Sequence, residues 1–127
     1  MLYDKRWDKP EVKSDNETVT ALLTARGIVS DPKKWTCGDY AKDSYGRWVG
    51  TTNPSAVSFC SVGALAVAMG VAVREAEDSG AGKYLVMAAR EQGCEYAHDL
   101  NDKGHASALA MFDRAIELAR CPQESGS

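Results

Sequence analysis

The chain has 127 residues, 44% of them hydrophobic and 26% charged, with a net charge of -3. A chain of that size and balance forms one globular domain with an ordinary core, which excludes a disordered protein and removes any need for metal or disulfide staples. The charge is uneven: residues 1–60 hold nine basic and eight acidic side chains, residues 61–127 six and ten. The acidic half argues against nucleic acid, which needs a basic stripe, and is compatible with a basic partner surface.

No apolar run reaches the roughly 18 residues that cross a bilayer. The start, MLYDKRWDKPEVK, mixes both charge signs and lacks the apolar middle of a signal peptide, so a cytoplasmic location without a membrane partner is expected. Residues 1–13 read as an arm whose Leu2, Tyr3 and Trp7 dock on the domain or on a partner. Residues 14–121 form a single helical domain and 122–127 a flexible tail.

The first helix is predicted at about 15–26. Ser14 and Glu17 have the spacing of a capping box, Val19, Leu22 and Leu23 follow at helical intervals, and Gly27 supplies a left-handed stop. Asp31-Pro32 then opens a turn or short helix, and Trp35 reads as a core anchor. Asp43-Ser-Tyr-Gly46 separates DYAK from RWVG, which predicts a small hairpin or an irregular excursion. Thr52-Asn-Pro-Ser55 is loop.

A second helix is predicted at about 61–76, unusually slim at Gly63, Ala64, Ala66, Ala68 and Gly70. Glycine costs a helix interior about 1 kcal/mol relative to alanine, so close approach of a neighbouring backbone is the expected compensation. Helices at about 80–92, ending at Gly93, and about 105–120 complete the pattern. The fold class is therefore mainly α: a compact four-helix domain with an irregular or short β-hairpin insertion between the first two main helices.

Two readings of Cys60 are open. A thiol at the threshold of a helix can become a nucleophile, with His98 or His105 as base and Asn101 or Asp102 to orient it. The same thiol, flanked by Val57, Phe59 and Val62, can be a small buried hydrophobe. HDLNDKGH also offers metal ligands, but Lys103 and Ala110 break the calcium-loop pattern, and four ligands crowded into His98–His105 close a tetrahedron poorly. A tight turn from Asp99 to Gly104 is predicted instead. Cys37, Cys60, Cys94 and Cys121 lack C-x-x-C spacing and are read as free thiols. SGAGK at 79–83 lacks the strand and the Ser/Thr of a phosphate loop. No metal or cofactor is implied.

Three fragments together carry a resemblance: Trp35-x-x-Gly38-x-x-Ala41-Lys42-Asp43-x-x-Gly46, Cys60-x-x-Gly63-Ala64-Leu65-x-x-Ala68, and Asn101-Asp102-x-Gly104 leading into Phe112 to Ile116. In this order, over about residues 17–120, the chain resembles an uncharacterised family of small bacterial and phage helical proteins. That resemblance implies no activity, cofactor or site residue. It does imply phage company, and with it a host-directed or defence-blocking role.

The expectation is a small acidic, non-enzymatic protein that binds a protein partner through Trp7, Trp35, Tyr40, Asp43, Tyr45 and Trp48, since rigid aromatics dominate interfaces. The alternatives are a cysteine hydrolase or transferase built on Cys60, His105 and Asp102, and a pocket for a nucleotide-like ligand where Gly38, Asp43 and the second helix meet.

Overall fold

The computed structural model describes residues 10–120, with side chains from Glu17 onward. Tyr3, Trp7, Cys121 and the tail lie outside the described residues. Within them the protein is mainly helical, with six helices and a two-stranded antiparallel ladder between the first and the second.

Helix α1 runs Pro10–Val29. It starts before Ser14, so the expected capping box falls inside the helix, and proline suits the first turn because its missing N–H has no helical partner there. Gly27 does not stop it. Leu22, Ala25 and Val29 are buried at 3- and 4-residue spacing, and that burial carries the helix past the glycine. Ser30 Oγ then donates to the Gly27 carbonyl at 2.9 Å. Asp31 caps the 3₁₀ turn Pro32–Lys34 by accepting from the Lys33 amide at 2.9 Å.

Strand β1 (Ala41–Lys42) pairs antiparallel with β2 (Ser58–Phe59), Ala41 opposite Phe59 and Lys42 opposite Ser58. The expected partner of DYAK was RWVG; that segment supplies instead a single bridge, Trp48 to Lys42, on the other side of β1. Asp43 explains the arrangement. Its carboxylate accepts from the amides of Tyr45 and Arg47, each at 2.9 Å, and folds the chain into a tight return with Gly46 at φ +81°.

The expected second helix is two helices, α2 (Ser61–Met69) and α3 (Val73–Asp78). Gly70 adopts φ +70°, and the Val71 amide reaches back to the Ala66 carbonyl at 3.1 Å, a left-handed stop that the alanine-rich sequence masks. Helix α4 (Gly80–Glu91) and the last helix, α6 (His105–Arg120), match expectation. Between them a short helix, α5 (Ala97–Asn101), started by the Tyr96 amide donating to Asp99 Oδ2 at 3.2 Å, takes the first part of the expected turn. The chain then turns at Asp102 and Lys103, with the Gly104 amide on the Asn101 carbonyl at 3.2 Å. These splits and additions turn the expected four helices into six.

The core gathers Leu22, Leu65, Leu85, Met111 and Phe112, with α1 packed on α2 and α6, and α4 on α6. The slim face of α2 has a specific cause. The Tyr40 carbonyl presses so close to Gly63 that a Cβ there would collide with backbone. Gly82 likewise meets the carbonyls of Ala76 and Glu77, which seats α4 against α3. Among the described residues, no helix is long and apolar enough to cross a membrane.

Candidate functional site

The site begins with a buried amide. Asn101, at the end of α5, is fully buried, and its Oδ1 accepts from Trp35 Nε1 at 2.9 Å, the Ser61 amide at 3.0 Å and Ser61 Oγ at 2.7 Å. Its Nδ2 donates to the Thr36 carbonyl at 3.1 Å. One side chain thus ties the loop after α1 to the start of α2, with every donor satisfied away from water. Next to it, Asp102 Oδ1 accepts from the Gly38 amide at 3.3 Å and holds the loop leading into β1.

Above this floor lies a cleft of about 270 Å³ lined by Gly38, Asp39, Tyr40, Trp48, Cys60, His98 and Asp102. Of the residues expected to bind, the structure brings Tyr40 and Trp48 to the cleft. Trp48 is 64% exposed at its rim, and Tyr45 is 81% exposed on the adjoining return. Trp35 is held beneath by Asn101, as the core anchor expected of it, with its ring 5.6 Å from that of His105. Asp43 is buried and engaged in its own turn, where the Arg47 amide first, then the Arg47 guanidinium and the Tyr45 amide, hold its carboxyl below the usual range. Trp7 lies outside the described residues.

Of the residues considered for catalysis, Cys60, His98 and Asp102 share the cleft, whereas His105 does not. His105 Nε2 sits 2.7 Å from the Val29 carbonyl on the α1 side. Cys60 is only 3% exposed and caps α2, its Sγ accepting from the Gly63 amide at 3.3 Å. Burial pushes the thiol up to about 11 against the opposing pull of the Gly63 and Val62 amides. Such a thiol stays protonated at neutral pH, the reverse of an activated nucleophile. His98 stacks on Tyr96, with ring centroids 5.5 Å apart, and its Nε2 lies 3.4 Å from Asp99 Oδ1.

At the start of α2, Asn101 takes the amide of Ser61 and Cys60 that of Gly63, so two of the amides that could meet an anion are already engaged. Tyr40 links the cleft to α3 through its hydroxyl, 3.4 Å from Glu77 Oε2; burial first, and then that carboxylate, raise its phenol above the ordinary value. Among the described residues, no group of three or more His, Cys, Asp and Glu side chains is placed to hold a metal.

With this geometry in view, comparison with known families matches residues 13–118 to one family model. The chain belongs to DUF6197, a family of unknown function. No curated protein and no solved structure matches it. The DUF6197 match spans the whole cleft and the Asn101 network beneath it.

Sequence reasoning named Cys60, His98, Tyr40 and Trp48 but missed Asp39 as a cleft wall, Glu77 as the Tyr40 partner and Asn101 as the organising hub. An asparagine in HDLND reads as a turn former; only the fold shows that Ser61 and Trp35 converge on it.

Proposed function

We propose that the protein is a non-enzymatic binding domain that engages a protein partner through the aromatic face around the cleft. One observation carries this reading: Tyr45 and Trp48, two large aromatics, stand exposed on a return that buried Asp43 holds in place. Rigid aromatics on a fixed loop lose little entropy on contact and supply large apolar area. A host-directed inhibitor, the role that phage company implies, is one form such a protein would take.

The test is capture by the tagged protein followed by the same capture with Trp48→Ala, Tyr45→Ala and Trp7→Ala. A partner retained by the unmodified chain and lost with Trp48→Ala, while far-UV circular dichroism stays native, supports the reading. Equal retention by all three variants removes it.

A specific observation also favours a second reading, since Cys60, His98 and Asp102 share one cleft. Iodoacetamide labelling against pH separates it. A thiol that reacts well below pH 8.5 supports a cysteine enzyme; protection until the protein unfolds leaves that reading without a nucleophile. A nucleotide-like ligand is disfavoured by walls that carry Asp39 and Asp102 and by the engagement of the Ser61 and Gly63 amides.

A further inference from the structure

Four features of the cleft bear on what it would hold. Asp39 and Asp102 line it beside His98, and among the described residues no lysine or arginine does, so an entering cation meets two carboxylates in the wall. Both hydrogen bonds that reach Asp102 Oδ1 come from uncharged donors, the Gly38 amide at 3.3 Å and Asn101 Nδ2 at 3.4 Å. They orient the carboxylate without neutralising it. Lys42 Nζ approaches Asp39 only to 4.0 Å, at the outer edge of an ion pair.

The remaining walls include Tyr40 and Trp48, whose rings attract a cation through their negative faces. The chain uses the same chemistry on itself next door. Arg47 donates from Nε to Asp43 Oδ2 at 2.9 Å while its guanidinium carbon lies 5.0 Å from the Tyr45 ring centre.

We propose that the cleft receives an arginine side chain from a basic segment of the partner protein, with Asp102 and Asp39 pairing its guanidinium against Tyr40 and Trp48. This rests on the protein-binding reading above and names the partner's chemistry. Arginine suits the site better than a compact ammonium because its planar fork both pairs with carboxylates and lies on aromatic faces.

The test is an amide and indole NMR titration of the whole chain with three blocked pentapeptides, Gly-Gly-X-Gly-Gly, in which X is arginine, citrulline or glutamate. The arginine peptide is expected to shift the Gly38 amide and the Trp48 indole in saturable fashion. Citrulline, equal in shape and uncharged, should bind about tenfold more weakly or worse, and glutamate not at all. Asp102→Asn, which can still accept from the Gly38 amide, and Asp39→Asn should each weaken the arginine peptide by about tenfold. Equal binding of arginine and citrulline, or undiminished binding in both variants, overturns the proposal. The two readings fail separately: a partner lost with Trp48→Ala while the arginine peptide leaves Gly38 unmoved sinks only this inference, and a partner kept by every aromatic variant while arginine binds sinks only the earlier one.

Discussion

At the scale of single residues, the cleft depends on two buried groups that answer differently to change. Asn101 holds three donors on one oxygen. Replacing it by alanine strands the Ser61 amide, the Ser61 hydroxyl and the Trp35 indole without partners, and a buried unsatisfied group costs about 1–3 kcal/mol. Asn101→Ala should therefore lose about 3 kcal/mol or more in urea unfolding, a large part of the margin of a domain this small. A Ser61→Ala, Asn101→Ala cycle should show strong coupling, because each removes the other's partner. Cys60 answers to pH. Burial lifts it from the ordinary thiol value of 9.0 to about 11, so between those points the unfolded chain has released the proton and the folded chain still holds it. The sign is then fixed: this contribution is fully present below pH 9, declines as pH rises and levels off past 11, a fall on the order of 2–3 kcal/mol. Cys60→Ser, whose hydroxyl can still cap Gly63, should flatten the stability profile over that window. An identical slope in both proteins would show that other groups cause it.

At the scale of elements, two glycines in helices make opposite predictions. Gly63 faces the Tyr40 carbonyl, so Gly63→Ala must push β1 away from α2 and should destabilise by roughly 1–3 kcal/mol despite the better helix former. Gly27, within α1, has open space where a Cβ would stand and no positive φ, so Gly27→Ala should raise stability by about 0.5–1 kcal/mol. Thermal melts of the two variants check both; a loss at position 27 or a gain at position 63 contradicts this account of the helix packing. The contrast also shows what the sequence could convey. α1, α4 and α6 were legible because their apolar residues recur over several turns, and the thin face of α2 was legible as a demand for close packing. The split at Gly70 was hidden because Val73 continues the apolar stripe on the far side of the break. α5 was hidden because five residues are too few for any period, and the strand pairing because Asp43 gathers amides in a way that depends on where the chain has already turned. The cleft was half visible: its aromatics, its thiol and Asp102 stood out by residue type, whereas Asp39 looked like ordinary surface charge until the fold placed it in the wall.

At the scale of the molecule, the helices share one set of packed side chains, from Leu22 on α1 through Leu65 and Leu85 to Phe112 on α6. Paired arginines bind its outer faces, Arg26 to Asp113 between α1 and α6 and Arg114 to Glu91 between α6 and α4, at 2.6 and 2.7 Å. These pairs are exposed and screened, so the core and not the ion pairs should govern stability. Unfolding followed by tryptophan fluorescence and by far-UV circular dichroism should then give coincident transitions; separated midpoints would mean that the 35–60 segment melts apart from the helices. The hub beneath the cleft adds a consequence in time. Asn101 joins groups 66 and 40 positions away along the chain, so its bonds close only when distant segments have already met. Contacts of that span carry a loop-closure cost that must be met before they form. Removing the amide should slow refolding if the hub closes within the folding transition state and speed unfolding if it closes after it, so the two arms of a chevron for Asn101→Ala date the moment at which the cleft is built.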